Sequence, residues 1–156
     1  MSDNVVKICF AASSGGHFEQ LMMLHPLMQR HDCFILTEQT SFKINTNNIK
    51  KFEVKQVNRQ EVLFFVKILI VFVQSLIIFF KEKPDVIIST GALATVPIML
   101  ISKVFRRKII FIESFSKINT PTLTGKISYK FADLFIIQWD EMKQHYPNAK
   151  YGGGIY

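Results

Sequence analysis

Cysteine is scarce in this sequence. Cys9 and Cys33 are the only two. They fall in separate apolar runs, form no CxxC pair, and look like small core residues of a reduced, cytosolic protein rather than a disulfide framework. Glycine is also sparse, with 7 residues, and proline with 5. No stretch is rich in either, and no internal repeat is present. The 156 residues therefore read as one domain, 1–156, long enough to bury a core without staples. No GxGxxG follows a strand-like run, and no Lys-Ser/Thr closes a phosphate loop, so neither nucleotide fingerprint is present. His25, His31 and His145 show no metal-ligand spacing, and no metal is expected. Residues 5–12 form an apolar run too short for a signal sequence, and it ends in a glycine turn instead of a cleavage region. The domain is expected to work on the cytosolic side.

What the chain does have is apolar bulk and positive charge. Hydrophobic residues make up 49%, fifteen of them Phe, and the mean hydropathy is +0.21. That is more than one core needs, so some apolar surface is expected to be left for a membrane or a partner to cover. Lys and Arg number 19 against 12 Asp and Glu, for a formal net charge of +7. A basic balance suits nucleic acid, anionic lipid or phosphorylated substrates, or is simply a solvated surface. The Phe residues lie mostly inside apolar runs. They make no basic–aromatic surface stripe, which argues against nucleic acid.

Short apolar runs alternate with helical periodicity along the whole chain. Residues 5–12, 32–37, 51–57, 85–89, 108–112 and 133–138 read as strands. Residues 17–29, 60–83, 93–105, 125–131 and 140–145 read as helices. Strands apolar on both faces and separated by helices predict an α/β fold: a single Rossmann-like domain with a parallel sheet and helices on both faces. Ligands bind such sheets beyond the carboxyl ends of the strands. Three turns fall on that edge, at residues 13–17, 89–92 and 113–119.

The helix at about 60–83 is unusual. Between residues 62 and 80 only Lys67, Gln74 and Ser75 are polar, and the length would cross a bilayer. Gln60, Lys67, Gln74 and Lys81 nevertheless recur every seven residues, which puts them on one narrow stripe. Three readings stand: a crossover helix whose second apolar face another helix covers, a crossover helix with one flank in the membrane interface, or a bilayer span. The span would break the α/β alternation. Lys43, Lys50, Lys51, Lys55 and Arg59 precede the helix, and Lys103, Arg106, Arg107 and Lys108 lie near the end of the next one. Basic residues beside an apolar flank suit anionic lipid.

The chemistry-bearing candidates lie in the three turns. Ser13, Ser14, Gly15, Gly16 and His17 join a strand to a helix N-terminus, where glycines admit a close ligand and amides attract anions such as a diphosphate. The same residues could equally make a tight turn with Ser14 as the helix cap. His17 could hold a phosphate or act as a base, or be a hydrogen-bonding loop residue. Glu113 ends its strand beside Ser114 and Lys117, either as an acid–base group or as a carboxylate that caps a neighbouring loop.

In order and spacing, Ala12-Ser13-Ser14-Gly15-Gly16-His17, Ser89-Thr90-Gly91 with Pro97, Glu113-Ser114-Phe115, Leu123-Thr124-Gly125-Lys126, Asp133-Leu134-Phe135 and Gln138-Trp139 resemble a known family. They resemble the bacterial PssD-type polysaccharide biosynthesis proteins. Those are related to the membrane subunit of the two-chain N-acetylglucosaminyltransferase that extends dolichol-diphosphate-GlcNAc, and both resemble the N-terminal half of MurG-like GT-B transferases. The likeness runs from residue 7 to 156.

The resemblance implies a division of labour in capsular or exopolysaccharide synthesis. This chain would hold a lipid-diphosphate-linked acceptor at the cytoplasmic face of the cell membrane, as a peripheral or monotopic protein. A small subunit like the C-terminal GT-B half would carry the UDP-sugar donor, with no cofactor held tightly here. Ser13, Ser14, Gly15, Gly16, His17, Thr90, Gly91 and Ser114 would line the acceptor diphosphate. His17 and Glu113 would be the catalytic candidates. Tyr151, Gly152, Gly153, Gly154, Ile155 and Tyr156 would meet the partner. The eukaryotic relatives carry an N-terminal span that is not expected here, which shifts anchoring to the helix at 60–83 or to other proteins. Their MurG-like cousins are also richer in glycine at the second loop. A chain with length for one Rossmann-like domain offers one wall of a GT-B cleft, so it is expected to be inactive alone. The alternative is a non-catalytic scaffold that recruits and stabilises the small catalytic subunit at the membrane.

Overall fold

Seven strands form one sheet in the order β3-β2-β1-β4-β5-β6-β7, and every neighbouring pair is parallel. The computed structural model describes residues 6–41 and 44–156. Val5 and Lys43 therefore lie outside the described residues. The strands are β1 (Lys7–Ala12), β2 (Asp32–Glu38), β3 (Lys51–Val54), β4 (Val86–Gly91), β5 (Lys108–Ile112), β6 (Leu134–Ile137) and β7 (Lys150–Tyr151). The helices are α1 (Gly16–Met22), α2 (His25–Met28), α3 (Phe64–Glu82), α4 (Val96–Val104) and α5 (Leu123–Ser128).

Alternate residues of each strand feed two cores, because successive side chains point to opposite faces. Cys9, Ala11, Phe34, Leu36, Ile87, Ile109 and Phe111 pack with Val71, Ile78 and Phe79 of α3 and Ile98 and Met99 of α4. Ile8, Phe10, Ala12, Ile35, Ile88 and Ile112 pack with Phe18 and Leu21 of α1 and Met28 of α2. The sheet is thus covered on both faces, as its all-apolar strands predict. From β1 the chain builds outward to β3, then crosses back through α3 to β4 on the other side of β1. The reversal puts a crevice between the carboxyl ends of β1 and β4, the place where such sheets bind ligands.

Several elements depart from the sequence reading for local reasons. The helix expected over 17–29 is two helices. Pro26 sits in the first turn of α2, and in a continuous helix its ring would clash with the carbonyl of Met22. Gly15, not Ser14, is the N-cap of α1. α3 starts at Phe64, after a turn in which Asn58 Oδ1 accepts from the Gln60 amide at 3.1 Å and draws the chain away from helix. A 3₁₀ turn, Leu93–Thr95, precedes α4, and Asp140–Gln144 is 3₁₀ throughout. No apolar run marks β7, which adds a seventh strand to the six expected.

α3 lies against the sheet as the β3-to-β4 crossover and packs on α4. Its polar stripe faces β3 and the loop that follows it. Lys67 pairs with Glu61, Gln74 accepts from the Lys55 amide at 2.9 Å, and Lys81 sits over the Phe52 ring. The opposite flank is bare. Phe65 is 82% exposed, Leu69 63% and Ile77 63%, and the surface continues onto Val104, 78% exposed, and Phe105 of the α4 end. No helix of the described chain covers this flank, so the self-covered crossover among the three readings does not hold within this chain.

At the amino ends of the strands, Glu82 ties α3 to β1. Its buried carboxylate lies 2.8 Å from Lys7 Nζ and 2.6 Å from Lys50 Nζ. Burial pulls the Glu82 carboxyl upward, but the hydrogen bonds and charges of Lys50 and Lys7 outweigh it and hold it below the usual range. A depressed carboxyl stabilises the fold above its unfolded value, about 4.3, and that contribution disappears as pH falls through the lower folded value. Glu82→Gln is expected to cost about 1–3 kcal/mol at neutral pH, measured by urea unfolding, with the difference from wild type shrinking as the pH is taken below about 4.

Candidate functional site

The loops after β1 and β4 grip each other across the sheet reversal. Ser13 N donates to Gly91 O at 3.1 Å. Thr90 Oγ1 donates to His17 O at 2.7 Å. His17 Nδ1 lies 2.7 Å from Thr90 O, and because a carbonyl only accepts, Nδ1 carries the proton. Nε2 is then the ring atom left for a ligand: an acceptor when the ring is neutral, a donor when it is charged. Gly91 makes this approach possible. Its φ is +108°, and a Cβ there would meet His17 Cε1 at 3.0 Å. Gly15, with φ +78°, and Gly16 have nothing within 4 Å of a built Cβ. Both are exposed, so the first loop leaves room for a ligand.

His17 lines a cleft of about 690 Å³ together with residues 56–59, Ala92, Leu93, Lys117, residues 121–124 and Lys126. The loops after β1, β3, β4 and β5 therefore meet at one opening. Arg59, Lys117 and Lys126 stand on its walls and no carboxylate does. In the sequence these three are unrelated: Lys117 shares the third turn with Glu113, Arg59 belongs to the basic residues preceding the long helix, and Lys126 falls within a family-like motif. Only the fold reveals that they converge. Ser13 is buried behind the first loop, and Gly15 borders a smaller apolar groove on the α1 side with Phe18, Met22 and Ile44.

Glu113 and Ser114 occupy a different position. Glu113 is 1% exposed. Its oxygens accept from Ser114 N at 2.9 Å, Thr122 N at 3.2 Å, Thr122 Oγ1 at 2.8 Å and Tyr146 Oη at 2.7 Å. Burial, and then the hydrogen bond to Glu113, push the Tyr146 hydroxyl well above its ordinary pKa. Thr122 in turn caps α5 by accepting from Gly125 N at 2.8 Å. A Cβ on Gly125 would strike Glu113 and Tyr146. The carboxylate thus organises the third loop and the start of α5 from beneath, next to the cleft wall that Thr122 forms. Ser114 is also buried, with its hydroxyl 3.0 Å from that of Ser116.

The carboxy-terminal segment packs back on the same edge. Gly152 N donates to Ile137 O at 2.9 Å. Ile155 N donates to Gln138 Oε1 at 2.9 Å, and Gln138 Nε2 donates to Glu113 O at 2.8 Å. The Tyr156 ring meets Phe115 edge-on at 5.2 Å, Phe115 leans on Trp139, and Trp139 Nε1 donates to Phe115 O at 2.6 Å. Tyr151 is largely exposed, Gly153 half-buried and Gly154 exposed beside Phe115.

These features define a class. The chain has the Rossmann-like fold of the N-terminal domain of MurG-like GT-B enzymes. It superposes on Acinetobacter baumannii MurG with a TM-score of 0.71 at 16% identity, covering 87% of this chain and 42% of that one. UDP-N-acetylglucosamine 2-epimerase from Rickettsia bellii gives 0.72 at 13% identity, over 92% of this chain and 42% of that one.

Within that class the sequence is more specific: residues 8–155 match the Alg14-like oligosaccharide biosynthesis proteins, and the chain belongs to that family. The human UDP-N-acetylglucosamine transferase subunit ALG14 is 26% identical, in an alignment that takes in 96% of this chain and 83% of that protein. The subunit of the same name from Saccharomyces cerevisiae is 50% identical over a shorter stretch, 29% of this chain and 19% of that one. The chain spans less than half the length of the solved structures it matches.

Replacing Glu113 by Ala strips the partner from a buried hydroxyl and from the loop donors. It is expected to destabilise the protein by about 3 kcal/mol or more, measured by denaturant unfolding. Glu113→Gln, which keeps an acceptor, is expected to lose less.

Proposed function

We propose that this chain is the acceptor-binding, membrane-associating subunit of a two-chain, UDP-sugar-dependent glycosyltransferase, and that its substrate is a saccharide carried on a lipid diphosphate. The observation that carries the reading is the cleft at the β1–β4 reversal. It is a single wall, open and cationic, with His17 locked so that Nε2 is free. Transfer between a sugar nucleotide and a lipid-linked acceptor brings diphosphates to one site, and a wall of this charge favours them. One Rossmann-like domain cannot enclose the reaction, since positioning donor against acceptor needs the facing domain. A small subunit like the C-terminal GT-B half supplies that face and the UDP-sugar pocket. The carboxy-terminal segment around Tyr151 and Tyr156, ordered by Ile137, Gln138 and Phe115, is the nearest surface for it to meet.

The exposed flank of α3 and the α4 end is the membrane-facing surface in this reading, at the cytoplasmic leaflet and without a bilayer span. Arg106, which forms no ion pair among the described residues, borders it, and such a residue favours anionic headgroups. Membership of an oligosaccharide-biosynthesis family fits an acceptor of this kind. The resemblance to PssD-type proteins narrows the setting to capsular or exopolysaccharide synthesis.

Within the site, the glycine loop 13–17 and the Thr90–Gly91 turn bring the acceptor diphosphate to the crevice. His17 Nε2 takes the proton from the attacking hydroxyl, or holds a phosphate when charged. Glu113 is a positioning residue for the third loop.

The complex of this chain with its small subunit is expected to transfer sugar from a UDP-sugar to a lipid-diphosphate-linked acceptor, and neither chain is expected to do so alone. His17→Ala should lower the rate by about 10²-fold or more while the complex stays intact on size exclusion. Unchanged transfer by that variant would instead favour a scaffold that only recruits the catalytic chain. Phe65→Glu with Leu69→Glu should abolish co-flotation with anionic vesicles without lowering thermal stability, because both side chains are exposed.

A further inference from the structure

Eight of the nineteen cations are paired with the protein's own acids. Lys7, Lys50, Lys51, Lys67, Lys103, Arg107, Lys108 and Lys143 all pair with carboxylates. Among the described residues, and like Arg30, Lys55, Lys81, Lys83, Arg106, Lys130 and Lys150, the residues Arg59, Lys117 and Lys126 form no ion pair. They nevertheless come from three separate segments: Arg59 from the turn after β3, Lys117 from the loop after β5, and Lys126 from α5. All face one 690 Å³ opening that no acid lines. Three like charges held around one cleft repel each other, and a bound anion relieves that repulsion.

Their neighbours narrow the anion. Thr124 and His17 line the same cleft, which adds hydrogen-bonding groups to the three charges in a volume larger than a single phosphate needs. Arg59 also stands at the mouth, just before the bare apolar start of α3, where Val62 is fully exposed and Leu63 is 60% exposed. A ligand with its charge in the cleft and a hydrocarbon tail would lay that tail along α3.

We propose that Arg59, Lys117 and Lys126, together with His17, are the diphosphate-binding groups of the cleft, and that the diphosphate is the one joining lipid to sugar in the acceptor. This rests on the proposed function and extends it to residues outside the glycine loops. Of the three cations, Arg59 is the one that couples the two ends of the ligand, because it lines the cleft and directly precedes the exposed Val62 and Leu63.

The test is a titration of the full chain, in complex with its small subunit, with inorganic pyrophosphate. The triple variant Arg59→Gln/Lys117→Gln/Lys126→Gln is compared with a charge-matched control, Arg30→Gln/Lys83→Gln/Lys130→Gln, whose residues are exposed, unpaired and not part of the cleft lining. Removing each charge-assisted hydrogen bond should weaken binding about tenfold. The cleft variant is therefore expected to bind pyrophosphate about a thousandfold more weakly, while the control changes little. An equal drop in affinity in both variants, or none in either, overturns the assignment.

A second arm separates the two sources of diphosphate. The cleft variant should raise KM for the lipid-linked acceptor and leave KM for the UDP-sugar unchanged, whereas a rise for the UDP-sugar alone overturns the acceptor assignment. A complex that binds pyrophosphate through these residues yet transfers no sugar to any lipid-diphosphate acceptor would refute the proposed function and leave the anion site standing.

Discussion

The reciprocal pair between His17 and Thr90 fixes the geometry of this protein's working edge. Each residue uses one side-chain atom and one carbonyl, so the loop after β1 and the loop after β4 are bolted together at two points 2.7 Å long. The pair works only because of where it sits. β1 and β4 are neighbours in space although α1, β2, β3 and α3 separate them in sequence, and that adjacency is the reversal of strand order. Gly91 is the other requirement, since a side chain there would occupy the space of the imidazole. A tautomer is thereby selected, an open nitrogen is presented, and the cationic cleft forms around it.

Glu113 does for the third loop what Thr90 does for the first, but from within. A buried carboxylate with four donors and, among the described residues, no ion-pair partner is stable only because each donor is held in place by the fold. Those donors come from Ser114, Thr122 and Tyr146, so the loop after β5, the cap of α5 and the turn after β6 are set by one group. Gln138 extends the network to Gln20 on α1 and to Ile155 in the carboxy-terminal segment. A subunit that docks against that segment would be a short chain of hydrogen bonds away from the cleft wall.

Much of the fold is legible in periodicity. Six strands, their parallel arrangement and the long crossover helix follow from short two-sided apolar runs and from Gln60, Lys67, Gln74 and Lys81 sharing a stripe. The details that periodicity misses are local. Pro26 splits a helix that apolar spacing alone makes continuous, Asn58 delays the start of α3, and Lys150–Tyr151 is too short and polar to signal a strand. Within the site, His17 and the Thr90–Gly91 turn are visible because glycine and strand ends mark a carboxyl edge. Sequence alone does not decide whether Glu113 is a catalyst or a loop cap, because its burial depends on Tyr146 and Gly125 arriving from elsewhere. The convergence of Arg59 with Lys117 and Lys126 is hidden for the same reason: nothing local distinguishes a cleft lysine from a solvated one.

The bare flank of α3 and the cationic cleft meet at Arg59, and that junction suits a ligand that is half lipid and half diphosphate. The most direct measurement is a structure of the two-chain complex with a lipid-diphosphate-linked acceptor bound. Phosphate oxygens are expected in the crevice between the loop at 13–17 and the Thr90–Gly91 turn, within hydrogen-bond reach of His17 or the cleft cations, with the lipid leaving past the start of α3. An acceptor diphosphate held wholly by the partner chain, with His17 and Arg59 still in open solvent, would contradict this placement.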